Sequence, residues 1–348
     1  MVSNKTRNSS FELLRLILMV MIIIHHCIVH GLGLYSLSGR SSNLLILEKN
    51  QMLLAFAINS LMICAVNCFI LISGYFKITV TSKKFINLLL TLLFYTILLT
   101  IIPYLFIGNY KDAIYTCFFI SKSPYWFVID YLFLLVCVPL LNIGFDRLTI
   151  SKRRMILVGM IIISCYFGFV WGNEVNVNGY TLFQFITMYC IGREIRLSKF
   201  SCQVYKSLLI YIIISITIGF IGYILWTMGK SYLAYKTTYY NDPLLIITSV
   251  SLFMVFKHLN IKSESINKWA KSAFGVYLFQ SSIVVSKLIY TSIQEDGTKY
   301  GNFIFLIIIG ISLGITLISL IFDRMRLILV DLLTNLILSK SHSYKNTI

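Results

Sequence analysis

The sequence predicts an all-α integral membrane protein of about ten transmembrane helices in one bundle, with both termini cytoplasmic. Three observations carry that expectation. Of the 348 residues, 58% are hydrophobic and only 12% charged, at a mean hydropathy of +0.83; that is too apolar for an ordinary soluble domain. Apolar stretches of about 17–25 residues recur along the whole chain, each long enough to cross about 30 Å of hydrocarbon as a helix. No polar block between them is long enough to fold separately in water. Finally, with the amino terminus placed inside, 22 of the 30 Lys and Arg residues fall on the inner side. That loop-by-loop asymmetry is what orients membrane proteins.

The predicted spans are 12–34, 52–76, 85–107, 124–145, 155–173, 180–195, 207–228, 243–259, 273–293 and 303–322. The second is interrupted by Asn59 and Asn67, and the sixth is short. Pro103, Pro124, Pro139 and Pro243 fall near span ends, where a missing backbone donor matters least. Beyond the last span, Leu327–Leu338 is apolar but broken by Asp331, and is expected as an interfacial helix on the inner surface. No internal repeat suggests a transporter built from duplicated halves. A net charge of +17 does not make nucleic acid an expected partner, because basic inner loops are what membrane insertion alone produces. Lys5 and Arg7 before an apolar run look like a signal sequence. The internal Arg15 and histidines, with no small-x-small cleavage site, predict a permanent helix instead. The eight cysteines lie mostly inside spans, with neither CxxC spacing nor a zinc pattern with histidine, and read as small apolar side chains. No metal site is expected.

Chemistry is expected on the first span, FELLRLILMVMIIIHHCIVHG, which carries Glu12, Arg15, His25, His26 and His30. At about 100° per residue, the eleven-residue step from Arg15 to His26 returns to within about 20° of the same helix face. Glu12 and His30 lie about 40° to either side of His26, and His25 points some 100° away. Ionisable groups at membrane depth are costly and usually face a protein interior or a wet cavity. On an inward-starting helix, His26 lies about 16 Å further across the bilayer than Arg15. Arg15 then suits phosphate or carboxylate at the inner mouth, and His26 suits proton transfer deep in the membrane. The structural alternative is a Glu12–Arg15 pair one turn apart, with the histidines bonded to neighbouring helices. A metal held by His26 and His30 lacks a third ligand.

Further polar elements recur at span ends. Ser73-Gly74 closes the second span, where small residues let backbones approach. Trp126 and Asp130 open the fourth, and a carboxylate one turn inside a span wants a partner such as His or Arg. Gly192-Arg193 ends the sixth, its arginine expected to snorkel. Gln280 follows Phe274-Gly275-Val276-Tyr277-Leu278 in the ninth, placed to reach the first helix or to act as polar glue.

In order and spacing, these elements resemble the acyltransferase 3 family of multi-span membrane acyltransferases over nearly the whole chain. The resemblance rests on Arg15 and His26 separated by ten residues, on Phe69 to Ser73-Gly74, on Trp126 to Pro139-Leu-Leu-Asn142, and on Phe274 to Leu278. Two features depart from the pattern. Phe279 and Gln280 stand where members often carry a His, and the basic Arg-x-x-Arg loop of some members is represented at best by Lys83 and Lys84.

The resemblance implies one membrane acyltransferase domain over 1–340, followed by a short cytoplasmic tail at 341–348. It implies a multi-pass protein of the bacterial cytoplasmic (inner) membrane that transfers an acyl group, most often acetyl. The co-substrate is cytoplasmic acyl-CoA, with no bound cofactor. The acceptor is a hydroxyl of an extracytoplasmic polysaccharide or lipid-linked sugar. On this reading His26 and Asp130 are catalytic, the acid orienting the imidazole. Arg15, Lys83, Lys84, Ser73 and Trp126 serve the acyl donor, with Glu12 and Gln280 in support. The rival reading is a transporter or flippase for a lipid-linked sugar that uses the histidines as a proton relay. A third is a structural subunit of a polysaccharide assembly complex.

Overall fold

The computed structural model describes residues 7–38, 45–106, 108, 111, 125–172 and 174–345. Among these every regular element is helical. Lys5 and Pro124, named above, lie outside the described residues, as do positions 346–348 of the predicted tail.

Helix α1 (Ser9–His26) opens on Asn8, whose side-chain oxygen accepts from the Ser10 and Phe11 amides at 3.1 and 3.4 Å. Capping there satisfies donors that a helix start otherwise leaves open. After His26 the helix widens into a π turn, Cys27–Gly31, so the span covers Ser9–Gly31. The next span, Lys49–Tyr75, is two helices, α2 (Lys49–Met62) and α3 (Ala65–Tyr75). The break falls between Asn59 and Asn67. Both amides are buried, and each bonds out of its own span: Asn59 to His25, and Asn67 to the Tyr240 carbonyl at 3.0 Å. Polar side chains in an apolar span thus marked helix–helix contacts.

Helices α4 (Ser82–Thr96), α5 (Trp126–Arg147), α6 (Ile150–Ile162), α7 (Leu182–Leu197) and α8 (Val204–Thr227) follow. The chain continues through α9 (Pro243–His258), α10 (Ala273–Gln280), α11 (Ile283–Asp296) and α12 (Ile304–Lys345). Seven helical stretches are long and apolar enough to cross a membrane, or eight if the pair bent by 72° at Gln280–Ile283 counts as one broken span. The described residues of each predicted span are largely helical, but the ninth is broken between α10 and α11, and α7 and α9 are only 16 residues long. Their setting accounts for this: most of each helix is buried by neighbours, whereas α8 buries five of its 24 residues. A helix shielded by protein need not match the hydrocarbon thickness.

The last helix corrects one expectation. Leu327–Leu338 is no separate interfacial helix but the continuation of α12, whose 42 residues extend about 63 Å at 1.5 Å per residue. Asp331, which broke the apolar pattern, accepts from the Asn87 amide of α4 at 3.1 Å. Higher up, fully buried Asp323 accepts from Tyr95 at 2.8 Å and from Arg326 at 2.6 Å. A polar seam therefore binds α12 to α4.

Two glycines from the sequence motifs fix the centre. A Cβ on Gly74 of α3 would overlap the Tyr189 carbonyl of α7, and one on Gly192 of α7 would overlap the Leu71 carbonyl of α3. Only glycine permits backbones this close. Gly275 of α10 likewise packs against the Asp323 carboxylate, with no room for a Cβ. The first two contacts lock α3 to α7 and the third packs α10 on α12, while α3 and α10 both pack against α1.

Candidate active site

Two cavities meet on α1. The first, of about 310 Å³, runs from Arg7, Glu12, Arg15 and Lys271 past Ser73, Phe127 and Tyr131 to the histidines. The second, of about 570 Å³, continues from the histidines to His30, Lys287, Tyr290 and Thr291, with Tyr35, Tyr180 and Tyr235 on its walls. His25, His26, Trp126, Tyr240 and Tyr277 line both. At this junction the two cavities share their walls.

At the first mouth, Arg15 bonds Glu12 at 2.6 Å, and Arg7 approaches the other oxygen of the same carboxylate at 3.5 Å. Glu12 is buried, whereas Arg15 is about one third exposed to the cavity. The structural pair and the binding role coexist. One Nη is committed to Glu12, and the rest of a five-donor guanidinium faces the cavity. Lys271, which the sequence reading missed, adds a third cation to this cavity beside Arg7 and Arg15.

At the junction, the His26 Nδ1 lies 3.0 Å from the Gln280 Oε1. The Gln280 Nε2 donates to the Ser281 hydroxyl, so its Oε1 is the group that faces the ring. Nδ1 therefore carries the hydrogen and Nε2 is the basic nitrogen. Asp130, expected in the place of Gln280, stands on α5 outside both cavities and makes no hydrogen bond or ion pair with a described residue. The cavity row on α5 is Phe127 and Tyr131, stacked at 5.8 Å. Asp130 lies one position, about 100° of helix turn, from Tyr131.

The wheel argument that turned His25 away from the stripe is also corrected. Its Nδ1 is 2.6 Å from the Asn59 Oδ1, and the ring lines both cavities. The chamber is wider than one helix stripe, and Asn59, above the break in the second span, draws the ring into it. Asn59 was visible in the sequence as an amide inside an apolar span, but its partner was not. Within the π turn, His30 reaches Tyr290, with ring centroids 5.3 Å apart, and lines the second cavity but not the first.

The other predicted donor residues divide. Trp126 sits at the junction, stacked on Tyr240 at 5.7 Å. Ser73 lines the first cavity, with its hydroxyl turned back onto the Phe69 carbonyl at 3.1 Å. Lys83 and Lys84 are exposed outside it, bonded to Asn335 at 3.2 Å and to the Thr79 carbonyl at 3.0 Å. The structure brings Glu12, Arg15, His26, Ser73, Trp126 and Gln280 together, and leaves out Asp130, Lys83 and Lys84.

Fold and site together define a multi-pass membrane protein with a two-ended internal chamber. The family model described as an acyltransferase domain, that of the acyltransferase 3 family, matches residues 8–324. The chain belongs to this family, whose activity is that of a membrane acyltransferase. No curated protein and no solved structure matches it.

Proposed function

We propose that the protein is an O-acyltransferase of the bacterial inner membrane, moving an acyl group, acetyl by preference, from cytoplasmic acyl-CoA to a sugar hydroxyl. The acceptor is an extracytoplasmic or lipid-linked polysaccharide. One observation carries the reading: a cation-mouthed cavity and a cavity walled by aromatic hydroxyls meet at the same two histidines. The basic bias of the loops on that side supports a cytoplasmic Arg15 end.

In this reading Arg15, Arg7 and Lys271, which line the first cavity, hold the CoA phosphates at the mouth while the pantetheine arm extends inward. The thioester then lies near His26. Sugar rings enter the second cavity against Trp126, Tyr180 and Tyr240. The His26 Nε2 takes the hydroxyl proton as the oxygen attacks the thioester carbonyl; the C–O bond forms, the C–S bond breaks, and that proton passes to the sulfur, which leaves as the thiol and restores neutral His26. The amide of Gln280 fixes the ring and its tautomer without a carboxylate's charge, as an amide does behind the histidine of some cysteine proteases.

Purified protein in vesicles loaded with acetyl-CoA should release free thiol only when an acceptor glycan is supplied outside, and the glycan should gain ester signals by NMR. Glycan movement without thiol release would favour the transporter reading instead. Polysaccharide from a deletion strain that kept all its ester signals would also count against acyl transfer.

A further inference from the structure

We propose that His25, held by Asn59, is a second catalytic residue that passes the acceptor's proton from His26 to the departing thiolate. The inference rests on the acyl-transfer reading and deepens it.

The two imidazoles are built alike. The His25 Nδ1 meets the Asn59 Oδ1 at 2.6 Å, and the Asn59 Nδ2 donates to the Tyr35 hydroxyl at 3.3 Å. Asn59 therefore presents its oxygen to the ring, as Gln280 does to His26, and the basic nitrogen of His25 is also Nε2. Asn59 is 1% exposed, so its amide is fixed by burial as well as by bonding. The rings are neighbours, with centroids 5.6 Å apart, and both line both cavities. A residue serving only as glue between α1 and α2 would not need to open onto either.

The chemistry supplies the need. The hydroxyl loses its proton on the side of the second cavity, and the sulfur that must gain one leaves by the first. One ring at the junction has to turn or wait for water to serve both sides. Two rings pass the proton along: from the hydroxyl to His26 as the C–O bond forms, from His26 to His25, and from His25 to the thiolate as the C–S bond breaks. Both imidazoles end neutral, and ester and thiol are the only products. Asn59 is a positioning residue, keeping the His25 Nδ1 protonated and its Nε2 in the chamber.

The test compares donors in vesicles. With acetyl-CoA, His25→Ala should lower kcat about 100-fold, within the usual range for an acid–base group, and leave KM for the donor unchanged. An acetyl thioester of an aromatic thiol leaves without a proton, so with it the same variant should recover to within about tenfold of wild type, whereas His26→Ala should not. His25→Gln keeps a donor to Asn59 and takes the same test if the alanine variant fails to fold. Equal losses with both donors, or no loss, would overturn the proposal.

A second readout does not need the aromatic donor. Among the described residues, the titratable and charged groups lining the two cavities around His25 are Arg7, Glu12, Arg15 and His26, with His30 of the π turn, Tyr131 of α5, Lys271, Tyr277 of α10, Lys287 and Tyr290 of α11, and Tyr35, Tyr180, Tyr235 and Tyr240. None of these is altered in Asn59→Asp, which keeps the acceptor oxygen but adds charge, raising the affinity of His25 for a proton. The pH at which transfer fails on the acid side should move upward, while Asn59→Leu should lower kcat without that move. An unmoved acid limb in Asn59→Asp would make His25 structural. Failure of wild type to transfer acetyl from acetyl-CoA would instead overturn the acyl-transfer reading, a distinguishable result.

Discussion

The two cavities share five wall residues and differ in almost everything else. The first is apolar along most of its length and carries its charge in Arg7 and Arg15, paired with buried Glu12, and in Lys271. The second spreads polarity around its walls as tyrosine and threonine hydroxyls, with His30 and Lys287 toward its far end. A chamber of the first kind suits a ligand with an anionic head and a thin tail; one of the second kind suits a ligand that is hydroxylated throughout. The contrast teaches that a single membrane helix, α1, can line two unlike cavities by changing side-chain type along its length, with the histidines where the types meet.

The largest test of that contrast is at the junction. His26→Ala should lower acyl transfer by about 10²–10⁴-fold, measured as thiol release, with the chain still inserted and monodisperse; wild-type turnover would remove the junction from the chemistry. Next is the charged mouth. Arg15→Ala should raise KM for acyl-CoA by about 10–100-fold, the loss of one charge-assisted contact, at nearly constant kcat. Arg15→Lys should restore only part of it, because an ammonium lacks the planar fork. A change in acceptor KM instead would place Arg15 on the wrong side of the comparison. Smaller again, Gln280→Leu should cut kcat by about tenfold, through the lost orientation of His26, without altering KM for either substrate. The smallest effect is expected outside both cavities. Lys83→Ala and Lys84→Ala should leave KM for acyl-CoA within about twofold of wild type, as surface substitutions do. A marked rise would show that the donor's phosphates extend beyond Arg15 onto α4.

Much of this was legible in the residues. Composition and basic-residue asymmetry implied a helical membrane bundle, because lipid leaves the backbone few alternatives to helix. The eleven-residue step from Arg15 to His26 put both on one face, and both line the first cavity. Gly74 and Gly192 announced close helix contacts, which the α3–α7 interlock makes. Local helix geometry carries such information, since each residue fixes its neighbours' directions within a turn or two.

What the chain alone determined, then, was the material of the site: a helical bundle with charge and imidazole on its first span. Tertiary structure decided the pairings. Gln280, 254 positions from His26, took the place behind that ring that was expected for Asp130. Asn59 turned His25 into a chamber from which the helical wheel excluded it. Lys271 joined Arg15 in the first cavity while Lys83 and Lys84 faced away from it. A side chain's period along a helix follows from covalent geometry, but its partner depends on which distant helix packs against it, and packing is a property of the whole bundle.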